Sequence, residues 1–341
     1  MQVDDKGPMD QFSAHLDRGW DLVTRGDYAG ALVSARKSLE IDAESPEAHN
    51  LLGFIHAAEG NAEEALEHYK QAIDIDESFI EAMLNAAEVL IHPLHDFGSA
   101  LEMVEDALDY CDSPDEIADA TLLKLDALLH MGERDKATAL LNGLPDGPFE
   151  NPHLDFLIGR TRFELGDLEG AAPRIRRAVE QEPDNADARY YLGLLLEAEG
   201  DARGATVAFL QTRDLDAKVP PPPWSLPADQ FERKVQAAIH RLPESLGERL
   251  DGALVVVVDS PGAEVVADGV DPRVLILLED LDEGTEDARV RRLFVYQRNA
   301  ERVTPSIAEL EDELVRTLER EVRAAFDPSI ADGDADSSDT P

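Results

Sequence analysis

Nine histidines and one cysteine, Cys111, hold most of this 341-residue chain's capacity for metal binding or nucleophilic chemistry. The densest group is His92, His95 and Asp96 in the segment HPLHD, where two imidazoles and a carboxylate could bind a cation. Pro93 marks a turn there, and a turn with a partial core role accounts for the same residues. His49, His56 and His68 fall on helical segments, where packing is the ordinary use of an imidazole. The acidic stretch Glu279–Asp287 lacks the alternating ligand spacing of a calcium loop and reads as solvated. No glycine-rich phosphate loop, GxSxG or Ser/His/Asp grouping occurs, and a single cysteine excludes a disulfide framework. These residues lead to an expectation of no metal and no cofactor.

The composition narrows the partners. Acidic residues number 73 against 31 basic, a formal charge of -42, and 28 of those negative charges fall on residues 1–223. Such a surface repels nucleic acid and anionic lipid, so neither is expected as a partner. A protein or peptide partner, basic or amphipathic, suits it, although compositional bias would produce the same acidity. A hydrophobic content of 43% is enough to build a core. No apolar run approaches the roughly 20 residues that span a bilayer. The N-terminal segment has neither the basic nor the apolar part of a signal peptide, so a cytoplasmic place is expected.

The elements that hold these residues repeat. Gly19 and Gly53 are 34 residues apart, as are Gly26 and Gly60, and Ala31 and Ala65; the grid returns in Gly159 and Gly193, Gly166 and Gly200, Ala171 and Ala205. About six units cover residues 12–217. In four of them a first helix (A) ends at a glycine followed by a polar residue, Gly26-Asp27, Gly60-Asn61, Gly166-Asp167 and Gly200-Asp201, and the polar residue opens the second helix (B). Small residues at Gly53, Ala65 and Ala72 let the two helices approach closely. This pattern resembles the tetratricopeptide repeat. The resemblance implies a right-handed helical solenoid whose A helices line a concave, partner-binding groove. Carried over on the grid, the lining positions are Leu16, Trp20, Asn50, Phe54, Leu84, Glu88, Phe156, Arg160, Phe163, Tyr190 and Leu194, although inter-helix packing explains the aromatics equally well. Family members that hold a C-terminal carboxylate do so with lysine and asparagine; Leu16, Trp20, Phe54 and Glu81 do not match that chemistry.

Pro220 to Pro223 break the helical periodicity and favour a stiff, extended spacer. The sequence therefore divides into an N-terminal extension (1–11), the solenoid (12–218), a proline-rich linker (219–227), an α+β domain (228–326) and an acidic, disordered tail (327–341). The α+β domain reads as a helix over 228–242, strands at 253–258, 273–278 and 292–297, and a closing helix over 306–326 with Ile307, Leu310, Leu314, Leu318, Val322 and Phe326 buried. The fold class is mainly α, with this small α+β domain after about six helix pairs. Its element order, together with FERKVQAAIHRLPESLGERLDGALVVVVD and RRLFVYQRNAE, resembles the small zincin-like metallopeptidases. In that family the closing helix carries HExxH, two histidines one turn apart on one face with a glutamate as general base. The matching positions here are Arg320, Glu321 and Ala324. An always-protonated guanidinium and a methyl group cannot ligate zinc, and without the ion no water is driven toward hydroxide at neutral pH. The resemblance implies a pseudoenzyme, with a zinc peptidase using non-standard ligands as the alternative.

Overall fold

Helix boundaries in the repeats are set by capping chemistry. In the computed structural model, which describes residues 8–281 and 289–326, Gly26, Gly166 and Gly200 close their helices at φ +73°, +87° and +82°, the left-handed region that glycine enters without strain. The next residue then opens the following helix: the carboxylates of Asp27, Asp167 and Asp201 accept from the amides of Gly30, Gly170 and Gly204. Asn61 stands in the same place without a side-chain cap. The result is a series of paired helices, α1 (Pro8–Thr24) with α2 (Tyr28–Ile41), α3 (Pro46–Ala58) with α4 (Ala62–Ile75), α5 (Ile80–Ile91) with α6 (Phe97–Leu108), α7 (Pro114–His130) with α8 (Arg134–Leu141), and α9 (His153–Glu164) with α10 (Leu168–Gln181). A sixth pair, α11 (Ala186–Ala198) with α12 (Ala202–Asp216), follows.

One repeat position shows why the grid demands small side chains. Ala31, Ala65, Ala100, Ala137 and Ala171 are all fully buried on their B helices, and Ala205 is 3% exposed. A Cβ on Gly53 would overlap the ring of Tyr69 on α4. Ala65→Leu should therefore lower the unfolding free energy by about 1–3 kcal/mol through overpacking. Urea denaturation checks this, and a change below a few tenths of a kcal/mol would count against the helix pairing.

The chain forms two compact units that divide between Gln181 and Glu182, ahead of the proline run. The first unit contains the first five helix pairs. The second contains the sixth pair, then α13 (Ala228–Arg241), α14 (Glu244–Gly247) running into a 3-10 turn at Glu248–Leu250, β1 (Leu254–Val258), α15 (Ala263–Ala267), β2 (Ile276–Leu281), β3 (Val290–Tyr296), α16 (Gln297–Val303) and α17 (Leu310–Phe326). The sheet order is β1-β3-β2, with β1 parallel and β2 antiparallel to the central β3; Phe294 faces Val256 on one side and Leu277 on the other. Phe231 and Val235 of α13, Ile276, Leu293 and Val295 of the sheet, and Leu314, Leu318 and Val322 of α17 form its core.

The proline segment is anchored at both ends within the second unit. Arg298 donates to the carbonyl of Val219 at 2.6 Å, and the buried carboxylate of Glu301 accepts from the hydroxyl of Ser225 and the amide of Leu226.

Three elements, β2, β3 and α17, differ most from the sequence expectation at their edges. Strand β2 starts at Ile276 rather than residue 273, because Asp271 to Val274 form a turn and the Arg273 guanidinium is drawn to Asp216. Strand β3 starts at Val290 rather than 292 and ends at Tyr296; Gln297 opens α16, its amide donating to the Leu226 carbonyl and Glu301. Helix α17 starts at Leu310, not 306, after a turn in which Glu309 bonds back to Ser306; Ile307 is 41% exposed and is not part of the buried stripe. Helices α15 and α16 are too short to show a periodicity. The acidic tail and residues 282–287 of the acidic stretch lie outside the described residues.

Candidate functional site

On the first unit, α1, α3 and α5 bring an aromatic pair next to a polar ladder. Trp20 of α1 meets Phe54 of α3 edge to face, with ring centroids 5.4 Å apart, and Phe54 keeps 36% of its surface exposed. One turn earlier on α3, buried Asn50 donates to the Glu81 carboxylate at 2.9 Å and accepts from the Asn85 amide at 3.0 Å. Both ends of the Asn50 amide are thus engaged by α5. An asparagine held this way is not free to grip a carboxylate, and its neighbour Glu81 would repel one. Glu88, two turns beyond Glu81 on α5, is exposed. Leu16 and Leu84 are half-buried beside these residues on α1 and α5. The surface offers an apolar edge beside several hydrogen-bond acceptors.

The other expected groove positions fare differently. Phe156 on α9 is 2% exposed, with the Arg160 guanidinium 5.9 Å from its ring centroid, and Arg160 pairs with Glu164; Phe163 is half-buried. Tyr190 on α11, in the second unit, donates its hydroxyl to Asp271 at 2.7 Å, and Arg273 lies 4.6 Å above its ring. Burial, and then the Asp271 bond, push the Tyr190 hydroxyl pKa upward. Leu194 joins Tyr190, Phe209 and Val266 of α15 in one apolar cluster. The A-helix face of the sixth pair is covered by the chain's own later segment, which no local sequence signal indicates, because Tyr190 and Asp271 are 81 residues apart.

Arg320, Glu321 and Ala324, the positions singled out in the sequence, lie on α17. Arg320 and Ala324 are exposed, and Arg320 donates to Glu321 at 3.0 Å. His240 is turned to the Gln236 carbonyl at 2.6 Å. The HPLHD group does not converge on an ion as the residues stand in sequence. Asp96 caps α6 by accepting from Ser99, and His95, at φ +52°, lies beside Phe97. His92 instead reaches α7, with its Nε2 3.1 Å from Asp126, and His130 stands 3.5 Å from the same carboxylate. The hydrogen bond to Asp126 holds His92 above its ordinary pKa. His49, His56 and His68 form a stacked group with centroids 5.4 and 5.7 Å apart, in which burial holds His68 below its ordinary value.

No described helix is long and apolar enough to cross a membrane. Models of the tetratricopeptide repeat match residues 46–79 and 156–217. No curated protein matches the chain. Among solved structures, PilF from Pseudomonas aeruginosa shares 20% identity, with 63% of this chain and 96% of that one covered at a TM-score of 0.52. PilW, described as a widely conserved type IV pilus biogenesis factor, shares 19% identity over 61% of this chain and 94% of its own, at a TM-score of 0.51. At these identities the likeness is one of fold. The helix pairs of this mainly helical chain include tetratricopeptide repeats, shown directly at residues 46–79 and 156–217.

Proposed function

We propose that the chain is a non-catalytic interaction protein whose A-helix face around Trp20, Phe54, Glu81 and Glu88 binds an amphipathic protein segment carrying lysine or arginine. The observation that supports this reading most is the exposed Phe54 edge held by Trp20 beside the Asn50–Glu81 pair. An apolar anchor in a pocket with charges at its rim supplies affinity, while the surrounding negative field supplies on-rate and excludes acidic segments.

The α+β region is read as a degenerate zincin-like domain. Helix α13 ends at Leu242-Pro243, the valine-rich β1 is followed by Asp259, and α17 closes the region, all in the order of that family. Arg320 and Ala324 then stand at the two ligand positions, and neither can bind zinc at neutral pH. The peptidase alternative needs three donor groups from elsewhere.

Labelled amphipathic peptides with basic residues, titrated onto the full chain by fluorescence anisotropy, test both parts. Phe54→Ala should weaken binding at least about 10-fold, as expected for an exposed aromatic that binding covers. Glu321→Gln should leave binding and stability unchanged. Chelator-sensitive cleavage of the peptides that Glu321→Gln abolishes would instead establish the peptidase.

A further inference from the structure

Among the described residues, one group of three metal-capable side chains converges: His92, at the end of α5, with Asp126 and His130 of α7. Their donor atoms all lie within 4.8 Å of one another. The Asp126 carboxylate faces both rings, with one oxygen 3.1 Å from His92 Nε2 and the other 3.5 Å from His130 Nε2. Two ligands each about 2.1 Å from a tetrahedral ion stand about 3.4 Å apart, so these spacings already approximate a coordination sphere.

The rings are held by packing. His130 lies flat against Phe97, with centroids 5.4 Å apart and planes 5° from parallel. The edge of His92 meets the His130 ring at 5.9 Å and 82°. Asp126 has no lysine or arginine partner among the described residues, and Glu88 adds a second negative charge near His92. Half of the His92 side chain is open to solvent, which leaves an entry path and room for water ligands.

We infer that His92, Asp126 and His130 bind a divalent transition-metal ion. Two imidazoles and one carboxylate favour Zn²⁺, Co²⁺ or Ni²⁺ over Mg²⁺ and Ca²⁺, which require mainly oxygen donors. The ion would replace the two His–Asp contacts and clamp the end of α5 to α7, joining the third and fourth helix pairs through bonds rather than packing alone.

Isothermal titration of the full chain with Zn²⁺, in a non-chelating buffer, tests the site, with Co²⁺ as an optical probe of tetrahedral coordination. Saturation at one equivalent is expected, undisturbed by excess Mg²⁺. His92→Gln, His130→Gln and Asp126→Asn should each weaken binding at least about 10-fold, and His68→Gln should not change it. Zn²⁺ should raise the melting temperature of the wild type but not of the His92 and His130 variants. Circular dichroism confirms that each variant keeps its helices, and His92→Ala and His130→Ala replace any glutamine variant that does not. Absence of Zn²⁺ binding by the wild type, displacement by Mg²⁺, or unchanged affinity in folded His92 and His130 variants would overturn the assignment.

Discussion

Asp155→Ala is expected to lower the unfolding free energy by about 3–5 kcal/mol, the cost of leaving a buried charge without its partner. Asp155 on α9 is buried, and its carboxylate accepts from Arg174 at 3.0 Å and pairs with Arg177 at 2.9 Å. The Arg174 side chain is only 5% exposed, and burial pulls its pKa below the ordinary arginine value. Its remaining contacts are the Pro145 carbonyl at 3.1 Å, the exposed Asp146 at 3.8 Å and the Phe149 ring at 5.7 Å. None of these compensates a full positive charge as a buried carboxylate does. Asp155→Asn, which keeps an acceptor, should lose less. Replacing both partners, as Asp155→Leu with Arg174→Met, should recover much of the loss, because no charge is then left buried. Chemical denaturation of the wild type, Asp155→Leu, Arg174→Met and the double variant measures the cycle, and a loss below about 1 kcal/mol in Asp155→Ala would show that water reaches Arg174.

The second large effect concerns Arg273, which couples the sixth helix pair to the sheet region of the second unit. Its side chain is 9% exposed, bonds Asp216 at 2.9 and 3.1 Å and Asp187 at 2.7 Å, and covers the Tyr190 ring. Burial works against its charge, yet the bonds to Asp216 and Asp187 together hold its pKa above the ordinary value. Arg273→Ala should cost about 3 kcal/mol, near the lower end for breaking a buried pair, because Asp216 keeps Arg302 at 3.7 Å. It should also speed amide exchange in α11 and α12, since the Tyr190 ring loses its Arg273 cover. Calorimetry and hydrogen exchange read the two consequences separately. Unchanged exchange with a small stability loss would mean that the apolar cluster of Phe209, Leu194 and Val266 holds this junction by itself.

Much of the helical architecture is written in short-range chemistry. The glycine-aspartate steps at 26–27, 166–167 and 200–201 set a helix end and the next helix start within a few residues, and the buried alanines at 31, 65, 171 and 205 repeat in phase. Such signals act over one or two turns and survive in any context that pairs the helices. The start of β2 was not legible, because apolar Val274 and Leu275 look like strand residues until Arg273 is drawn toward Asp216, 57 residues away. The exposed Ile307 is a similar case: its apolar character suggests a buried stripe, but the Ser306–Glu309 turn delays the helix.

The candidate sites divide along the same line. The aromatic and polar types on the A helices, Trp20, Asn50 and Phe54, follow from the repeat grid. The sequence by itself determined that the helices pair and which residues their caps and small contacts require, because those interactions join residues a few positions apart. Only the tertiary structure decided that Tyr190 is covered by Asp271 and Arg273, and that His92 leaves His95 and Asp96 to meet Asp126 and His130. Those meetings join residues 34 or more positions apart, and side chains that distant come together only after whole helices have packed.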